Sequence, residues 1–292
     1  MTYDFGAFNN WGQLKKVAVR SVASAFVSDV KIDAEWKDLN FHSRPNLGNA
    51  LKEYAVVEKA LKSTGAEVID LGVGEGLTLD SLYTHDALII TPKGLVRPRM
   101  GKPQRRKEAA VNGAVLEKLG FPIAGEITGE GKIEGGDLVW IDRNTLLAGV
   151  GYRTNVEGVR QLQAICGPDV NVIWFDMPHY KGKSDVFHLM SCLSPLDQDL
   201  AVVYQPLMAG RLIEFLNSRG IKFVDVPDSE FETMGCNVLA LGPRHAMMVA
   251  GNPVTEQRMR DAGVKVEVIE GYDICRKGEG GPTCMTRPLV RA

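Results

Sequence analysis

Gly278-Glu279-Gly280-Gly281-Pro282-Thr283-Cys284-Met285-Thr286-Arg287-Pro288 lies near the end of the 292-residue sequence. Three glycines and a proline lead into its cysteine. Glycine lets a backbone turn tightly and come close to a neighbour, and proline stiffens the run that follows. A short strand is expected over Thr283-Cys284-Met285, with the thiol at its start as a candidate nucleophile.

The residues before this stretch repeat one unit. Apolar residues at helical spacing predict a helix over 255–262, and a strand follows over 264–269 before the cysteine. The same order precedes it: helix 207–217, strand 221–226, then a hairpin of 237–241 with 245–249. Earlier still come helix 156–165, strand 170–175 and the pair 187–192 with 200–204. Before those lie helix 105–119, a strand near Ile123, and the hairpin 137–142 with 145–148, turning at Arg143-Asn144. The first copy has helix 49–63, strand 67–71 and the hairpin 87–91 with 95–97 around Pro92-Lys93-Gly94. The last hairpin lacks a second strand. Leu14-Lys15-Lys16-Val17-Ala18-Val19-Arg20 reads as a strand that would complete it and close a ring.

The hairpin starts carry Asp86, Glu134, His188, Cys236 and Cys284, spaced 48, 54, 48 and 48 residues apart. A period near fifty marks a repeat or propeller architecture. In a closed ring, equivalent positions face one axis, so these side chains are expected to converge. The long stretch 21–45, with Phe26, Trp36, Phe41 and His42, has no clear period and is a candidate lid.

Composition narrows the function classes. Hydrophobic residues make up 45% and charged residues 24%, an ordinary globular balance. The formal net charge of −2 favours neither nucleic acid nor an anionic membrane as partner. Apolar runs such as Ala87-Leu88-Ile89-Ile90 are far too short to span a bilayer. Met1-Thr2-Tyr3-Asp4 has no basic start and no apolar core, so no signal peptide is expected. Five cysteines show no CxxC pair and no zinc-like spacing. A cytoplasmic protein with reduced thiols, binding no metal and no cofactor, is the expectation.

A cysteine, a histidine and two carboxylates in one cavity suggest covalent attack on a carbon flanked by cationic nitrogens. The thiolate attacks, the histidine moves protons, and the acids pair a planar cation such as guanidinium. The blocks Glu134-Gly135-Gly136-Asp137, Phe187-His188-Leu189 and Gly280-Gly281-Pro282-Thr283-Cys284-Met285-Thr286 occur in this order. The chain thereby resembles the guanidine-modifying enzymes of the pentein superfamily: dimethylarginine dimethylaminohydrolases (dimethylargininases), arginine deiminases and amidinotransferases. The resemblance runs from Asn9-Asn10-Trp11-Gly12 to the cysteine block. It implies an α/β fold, a five-bladed α/β propeller, in a single catalytic domain spanning 1–292; the 21–45 stretch, on its length alone, is either a lid or a surface excursion packed by its own aromatics.

Residue by residue, the resemblance implies Cys284 as nucleophile and His188 as proton donor to the leaving amine and later base for water. Asp86 and Glu134 would hold the guanidinium. Arg105 and Arg153, each 19 residues after one of those acids, would grip a substrate carboxylate. Met190 stands where arginine deiminases carry an aspartate, which favours an N-substituted guanidine. His85 stands where dimethylargininases commonly carry a glutamate and is expected to line the pocket. Asp137 either caps the Gly135-Gly136 turn or touches substrate. Arg106 competes for the role of Arg105. Cys236, Cys166 and Cys192 read as core residues, and Cys275 as a thiol nine residues before Cys284.

The implied activity is hydrolysis at the guanidino carbon of arginine or an N-substituted arginine. Arginine deiminase activity on free arginine and amidinotransfer share the same first step. A binding protein for cationic amino acids is the reading of a different class. A homodimer is what the resemblance implies for assembly.

Overall fold

The computed structural model of the chain describes residues 5–183, 185 and 187–292. Met1–Asp4, read above as lacking a leader, lie outside the described residues. In chain order the strands are β1 (Leu14–Val19), β2 (Glu67–Asp70), β3 (Ile89–Thr91), β4 (Gly94–Arg97), β5 (Ile123–Glu126), β6 (Leu138–Asp142), β7 (Thr145–Val150), β8 (Asn171–Asp176), β9 (Leu193–Asp197), β10 (Leu200–Val203), β11 (Lys222–Asp225), β12 (Leu239–Gly242), β13 (His245–Val249), β14 (Lys265–Ile269) and β15 (Thr286–Arg291).

These strands form five three-stranded sheets, ordered β15-β1-β2, β3-β4-β5, β6-β7-β8, β9-β10-β11 and β12-β13-β14. In every sheet the first two strands pair antiparallel and the third joins parallel. A parallel neighbour needs a crossover, and a helix supplies it in each blade: Leu47–Ser63, Glu108–Lys118, Val156–Cys166, Gly210–Ser218 and Pro253–Asp261. Asn46 and Asn155 cap two of these, each accepting a backbone N–H of the first turn through its side chain.

Burial follows the strand order. β3, β12 and β15 are buried along their whole length, whereas β2 and β5 have no fully buried residue. The first strand of each sheet therefore lies toward the axis and the third at the rim. Five apolar clusters hold the blades together, each bridging two neighbours. Leu88 and Ile90 pack with Ala18 and Leu289, Ile89 with Trp140 and Leu146, and Val139 and Leu147 with Leu193 and Ala201. Leu196 and Val202 pack with Ala246 and Met248, and Leu239 and Met247 with Leu14 and Val17. The last cluster joins the fifth blade to the first, so the five-bladed propeller is closed. Truncating one of these fully buried leucines to alanine costs about 2–5 kcal/mol.

The strand pairing β1–β15, with Val17 opposite Pro288 and Val19 opposite Thr286, completes the last hairpin as expected. Four details differ from the sequence reading. Thr283–Met285 form a turn, and the strand begins at Thr286. The strand expected over 187–192 begins only at Leu193, because a short 3-10 turn, Leu189–Ser191, follows His188. Arg105 precedes its helix, ending a separate 3-10 turn, Pro103–Arg105. Within 21–45 lie two short helices, Val22–Ala25 and Asp29–Glu35, whose Val22, Ala25, Phe26 and Ile32 enter the core.

Candidate active site

The chain enters each blade at one end of the ring, and a pocket opens there. It encloses about 740 Å³ including its mouth, and its wall contains Asp86, His188, Asn237 and Cys284 from four blades. Gly136 makes this convergence sterically feasible. A Cβ added there would lie 2.6 Å from His188 Nδ1 and 2.8 Å from Asp86 Oδ1. The glycines before Cys284 serve the same purpose more than turning. The left-handed backbone falls on Glu279 (φ 59°), and a Cβ on Gly281 would meet the Asn237 side chain at 2.4 Å.

Asp86 is 3% exposed. Its Oδ1 accepts the Gly136 N–H at 2.9 Å and its Oδ2 accepts Arg105 Nη1 at 2.6 Å. Arg105 is itself fully engaged from behind. It donates to both Glu108 oxygens at 2.8–2.9 Å and to the Tyr83 carbonyl at 2.6 Å. Glu134, in the next blade, accepts Gly101 N–H (2.8 Å), Lys102 N–H (3.1 Å) and Arg153 Nη1 (2.8 and 3.0 Å). It also meets His188 Nε2 at 2.7 Å. His188 Nδ1 lies 3.9 Å from Asp86 Oδ1. The backbone of His188 is fixed by Ser191, whose hydroxyl accepts its N–H at 3.0 Å.

Cys284 is half-buried, and its Sγ accepts Asn237 Nδ2 at 3.2 Å. The Asn237 carbonyl oxygen accepts the Thr283 N–H at 3.2 Å, which orients the amide so that its NH₂ faces the sulfur. The cysteine is thus held by a neutral donor rather than by the histidine.

Electrostatics divides the groups into acids held ionised and a thiol held neutral. Burial opposes the charge on Asp86, but His188 and Arg105 outweigh it and hold the carboxyl well below its usual range. Glu134 is likewise depressed despite burial, by Arg153 and His188. Burial also opposes the charge on His188, yet Asp86, Asp137 and Glu134 raise it to about 9. Burial, reinforced by the charge of Asp86, pushes Cys284 up to about 11; the Asn237 amide and the Gly281 backbone oppose this only in part. At neutral pH the pocket therefore holds both an imidazolium and a neutral thiol.

Asp86, His188, Cys284, Arg105, Arg153, His85 and Met190 all line the pocket. Glu134 lies behind them and reaches the site through His188. Asp137 does not line the pocket; its Oδ1 accepts the Leu189 N–H at 3.0 Å and so braces the turn that carries His188. Burial raises its pKa to about 6 against the opposing pull of His188. His85 bonds the Thr286 carbonyl through Nδ1 at 2.7 Å, and burial, then Arg287, lowers its pKa to about 3. It is a neutral wall residue. Cys236, which shares the repeat phase of the catalytic candidates, is buried with its Sγ toward the Val202 carbonyl.

Three residues escaped the sequence reading. Asn237 is one place past the expected phase, and nothing in the sequence distinguishes it from its neighbour. Glu108 sits three residues after Arg105, a helical spacing that suits an ion pair. Lys102 lines the pocket, lying 2.7 Å from Asp80 and donating to the Leu39 carbonyl at 2.9 Å. Among the described residues, Asp86, Glu134 and His188 form a group of metal-ligand types with one donor atom each within 4.8 Å. Their carboxylates already accept from two arginines and three backbone N–H groups, an environment suited to holding anions beside a cationic guest.

Comparison with other proteins agrees with this geometry. The sequence model of the family described as "Arginine deiminase" matches residues 79–221 and 209–291. YkgA of Bacillus subtilis (strain 168), an uncharacterized protein, is 25% identical over 283 residues, covering 96% of this chain and 93% of its own. The N(G),N(G)-dimethylarginine dimethylaminohydrolase of Streptomyces coelicolor is 27% identical over 240 residues, covering 82% of this chain and 85% of its own. The solved N-terminal domain of ArgZ, an arginine dihydrolase from the ornithine-ammonia cycle in cyanobacteria, was determined bound to product. It matches with a TM-score of 0.79 at 18% identity, over 96% of this chain and 98% of that one. The family match begins just before the turn carrying Asp86 and runs through the closing strand, and the chain belongs to the arginine deiminase family, within the pentein superfamily.

Proposed function

We propose that this chain is a hydrolase acting on the guanidino carbon of arginine or an N-substituted arginine, in the manner of a dimethylargininase. The observation that carries the proposal is the shared pocket of Cys284, His188 and Asp86, in which the imidazole is held cationic and the thiol neutral. A guanidinium entering beside Asp86 places a positive charge next to Cys284 and lowers its pKa, and the thiol proton leaves to solvent. The thiolate forms a bond to the guanidino carbon, giving a tetrahedral adduct. His188 passes its proton to the departing amine as the C–N bond breaks, which leaves an S-alkylthiouronium on Cys284. Water then adds to that carbon while neutral His188 takes its proton. Breaking the C–S bond releases a ureido product such as citrulline and restores the thiolate.

Glu134 holds the imidazole of His188, while Asp86 pairs the guanidinium nitrogens. Arg105 has most of its N–H groups committed to Glu108, Asp86 and Tyr83, so Arg153 is the better placed of the two arginines to meet a substrate carboxylate. Met190 gives an apolar wall near His188 and favours a substituted guanidine over free arginine. The chain works as one catalytic unit, with 21–45 as a strap whose Leu39 and Asn40 reach the pocket mouth.

The test is citrulline release from arginine and from methylated arginines, with and without acceptor amines. Turnover of methylated arginine in water alone supports the reading. Turnover confined to free arginine makes the chain a deiminase, and dependence on an amine makes it an amidinotransferase. Cys284→Ser should abolish turnover without unfolding the protein. Mass spectrometry of quenched mixtures should find an adduct on Cys284, and binding without adduct or turnover would leave only a binding protein.

A further inference from the structure

On the axis of the ring lies a second cavity, separate from the active-site pocket except for a shared wall at His85. It is bordered by Asn9, Asn10, His85, Trp140, Arg287 and Arg291, with apolar residues between them. The two arginines are its unusual feature. Arg287 is 7% exposed and Arg291 8% exposed. Neither has an acidic partner within ion-pair distance among the described residues. Arg287 donates only to the His85 carbonyl, through Nε (3.1 Å) and Nη2. Arg291 donates to the carbonyls of Gly12 and Ala240. The acid nearest in influence to Arg287 is Asp86, whose oxygens are already taken by Arg105 and Gly136.

A guanidinium stays charged at physiological pH, and a buried charge without a counter-charge is costly. Burial depresses both arginines to about 9, and for Arg291 the neighbouring Arg287 adds to the effect. Of the remaining polar wall, the two asparagines offer donors, whereas neutral His85, whose Nδ1 donates to the Thr286 carbonyl, keeps an unpartnered Nε2. The Asn9 carbonyl oxygen accepts the Gly12 N–H and the Asn10 carbonyl oxygen accepts the Trp140 N–H at 2.8 Å. Among the described residues neither amide NH₂ group donates a hydrogen bond. Trp140 Nε1 is spent on the Ile90 carbonyl at 3.2 Å. His85 contributes an uncharged ring, and no anionic side chain among the described residues borders the cavity. The room for the centre of a water-sized guest is about 20 Å³, enough for roughly one particle of that size.

We propose that this axial cavity is a binding site for one small inorganic anion of chloride size, held by Arg287, Arg291 and the amide NH₂ groups of Asn9 and Asn10. The anion supplies the charge that the fold omits. It locks β15 to the Asn9–Asn10 segment and lies behind the wall that carries Asp86. The site is independent of the catalytic reading, because none of its donors takes part in the proposed reaction.

Thermal unfolding of the whole protein at fixed ionic strength, with chloride exchanged for gluconate, tests the site. Gluconate is too large for the cavity. The expected result is a saturable rise of about 4 °C or more with chloride. Crystals soaked in bromide should show an anomalous peak in the axial cavity. Asn10→Asp places a carboxylate oxygen where the amide nitrogen stands, so chloride should then add nothing to the midpoint. Arg291→Met should likewise abolish the chloride dependence. Equal midpoints in the two salts, with no bromide peak in the cavity, would overturn the proposal. So would a chloride effect that persists unchanged in Asn10→Asp.

Discussion

Removing Arg105 should expose how strongly the acids of this site depend on their counter-charges. Arg105 is 3% exposed and joins Glu108, which is 1% exposed, to Asp86. In Arg105→Met, Glu108 loses both of the side-chain hydrogen bonds that its carboxylate accepts among the described residues. Burial already holds its pKa above the usual range with the arginine present, so the orphaned carboxyl will protonate. Protonating an acid of reference pKa about 4.3 at pH 7 costs about 3.7 kcal/mol. That agrees with the roughly 3–5 kcal/mol seen when one member of a buried ion pair is removed. The cost falls to about 1 kcal/mol near pH 5.

The sign follows from proton uptake. In the variant the folded-state pKa of Glu108 lies above its unfolded value, so the variant gains stability as pH falls toward that unfolded value. In the parent, Asp86 is depressed, and its contribution is lost as pH falls below the unfolded carboxylate range. Glu108 is raised in the parent too, so the gap narrows by the extra rise that losing Arg105 gives it, and the Asp86 trend adds to this only in more strongly acid solution. Urea unfolding of parent and variant near pH 7 and near pH 5 measures it. A difference below about 1 kcal/mol at the higher pH, or one that does not shrink on acidification, refutes the reasoning.

Three further outcomes are expected. In the proposed mechanism His188 is protonated when it assists the leaving amine, so kcat should decline as pH passes about 9; a rate that keeps rising there removes it as the donor. The same raised pKa means that His188 stabilises the fold fully below its unfolded value of about 6.5 and loses that contribution above about 9. Asn237→Ala deletes the donor to Cys284 Sγ and should slow thiol alkylation at fixed pH about tenfold to a hundredfold; an unchanged alkylation rate would show that the amide does not tune the thiol. Gly136→Ala forces a methyl against His188 and Asp86, and should cut kcat/KM about a hundredfold or more with the circular dichroism preserved. Near-parental activity in that variant would mean the turn can give way.

The ring was legible because each blade repeats a hairpin, helix and strand whose apolar spacing differs in period. The phase of Asp86, His188 and Cys284 was legible for the same reason. Phase alone cannot say which of two adjacent residues turns toward the axis, and at the fourth hairpin that residue is Asn237 rather than Cys236. The pairing of Arg105 with Asp86 and of Arg153 with Glu134 was visible as a spacing, but its meaning was not. Residues 19 apart touch only because the loop folds back over the acid. The two short helices within 21–45 were missed because each is little more than a turn or two and is held by apolar contacts from distant parts of the chain. Arg287 and Arg291 could not be distinguished from rim residues, since strand alternation says nothing about what an inner edge faces.

Four blades are assembled from consecutive stretches of chain, whereas the first joins β1 to β15 across nearly the whole sequence. During synthesis the four sequential blades can pair their strands as they emerge. The first blade must wait, its early strand β1 holding only β2 until the closing strand arrives. Cys284 lies two residues before that strand, so the proposed nucleophile takes its final position in the same event that seals the ring. A translating ribosome thus carries a partial propeller whose reactive thiol is unborn. A circular permutant opened elsewhere in the ring would make that hairpin local and shift the slow long-range closure to another blade.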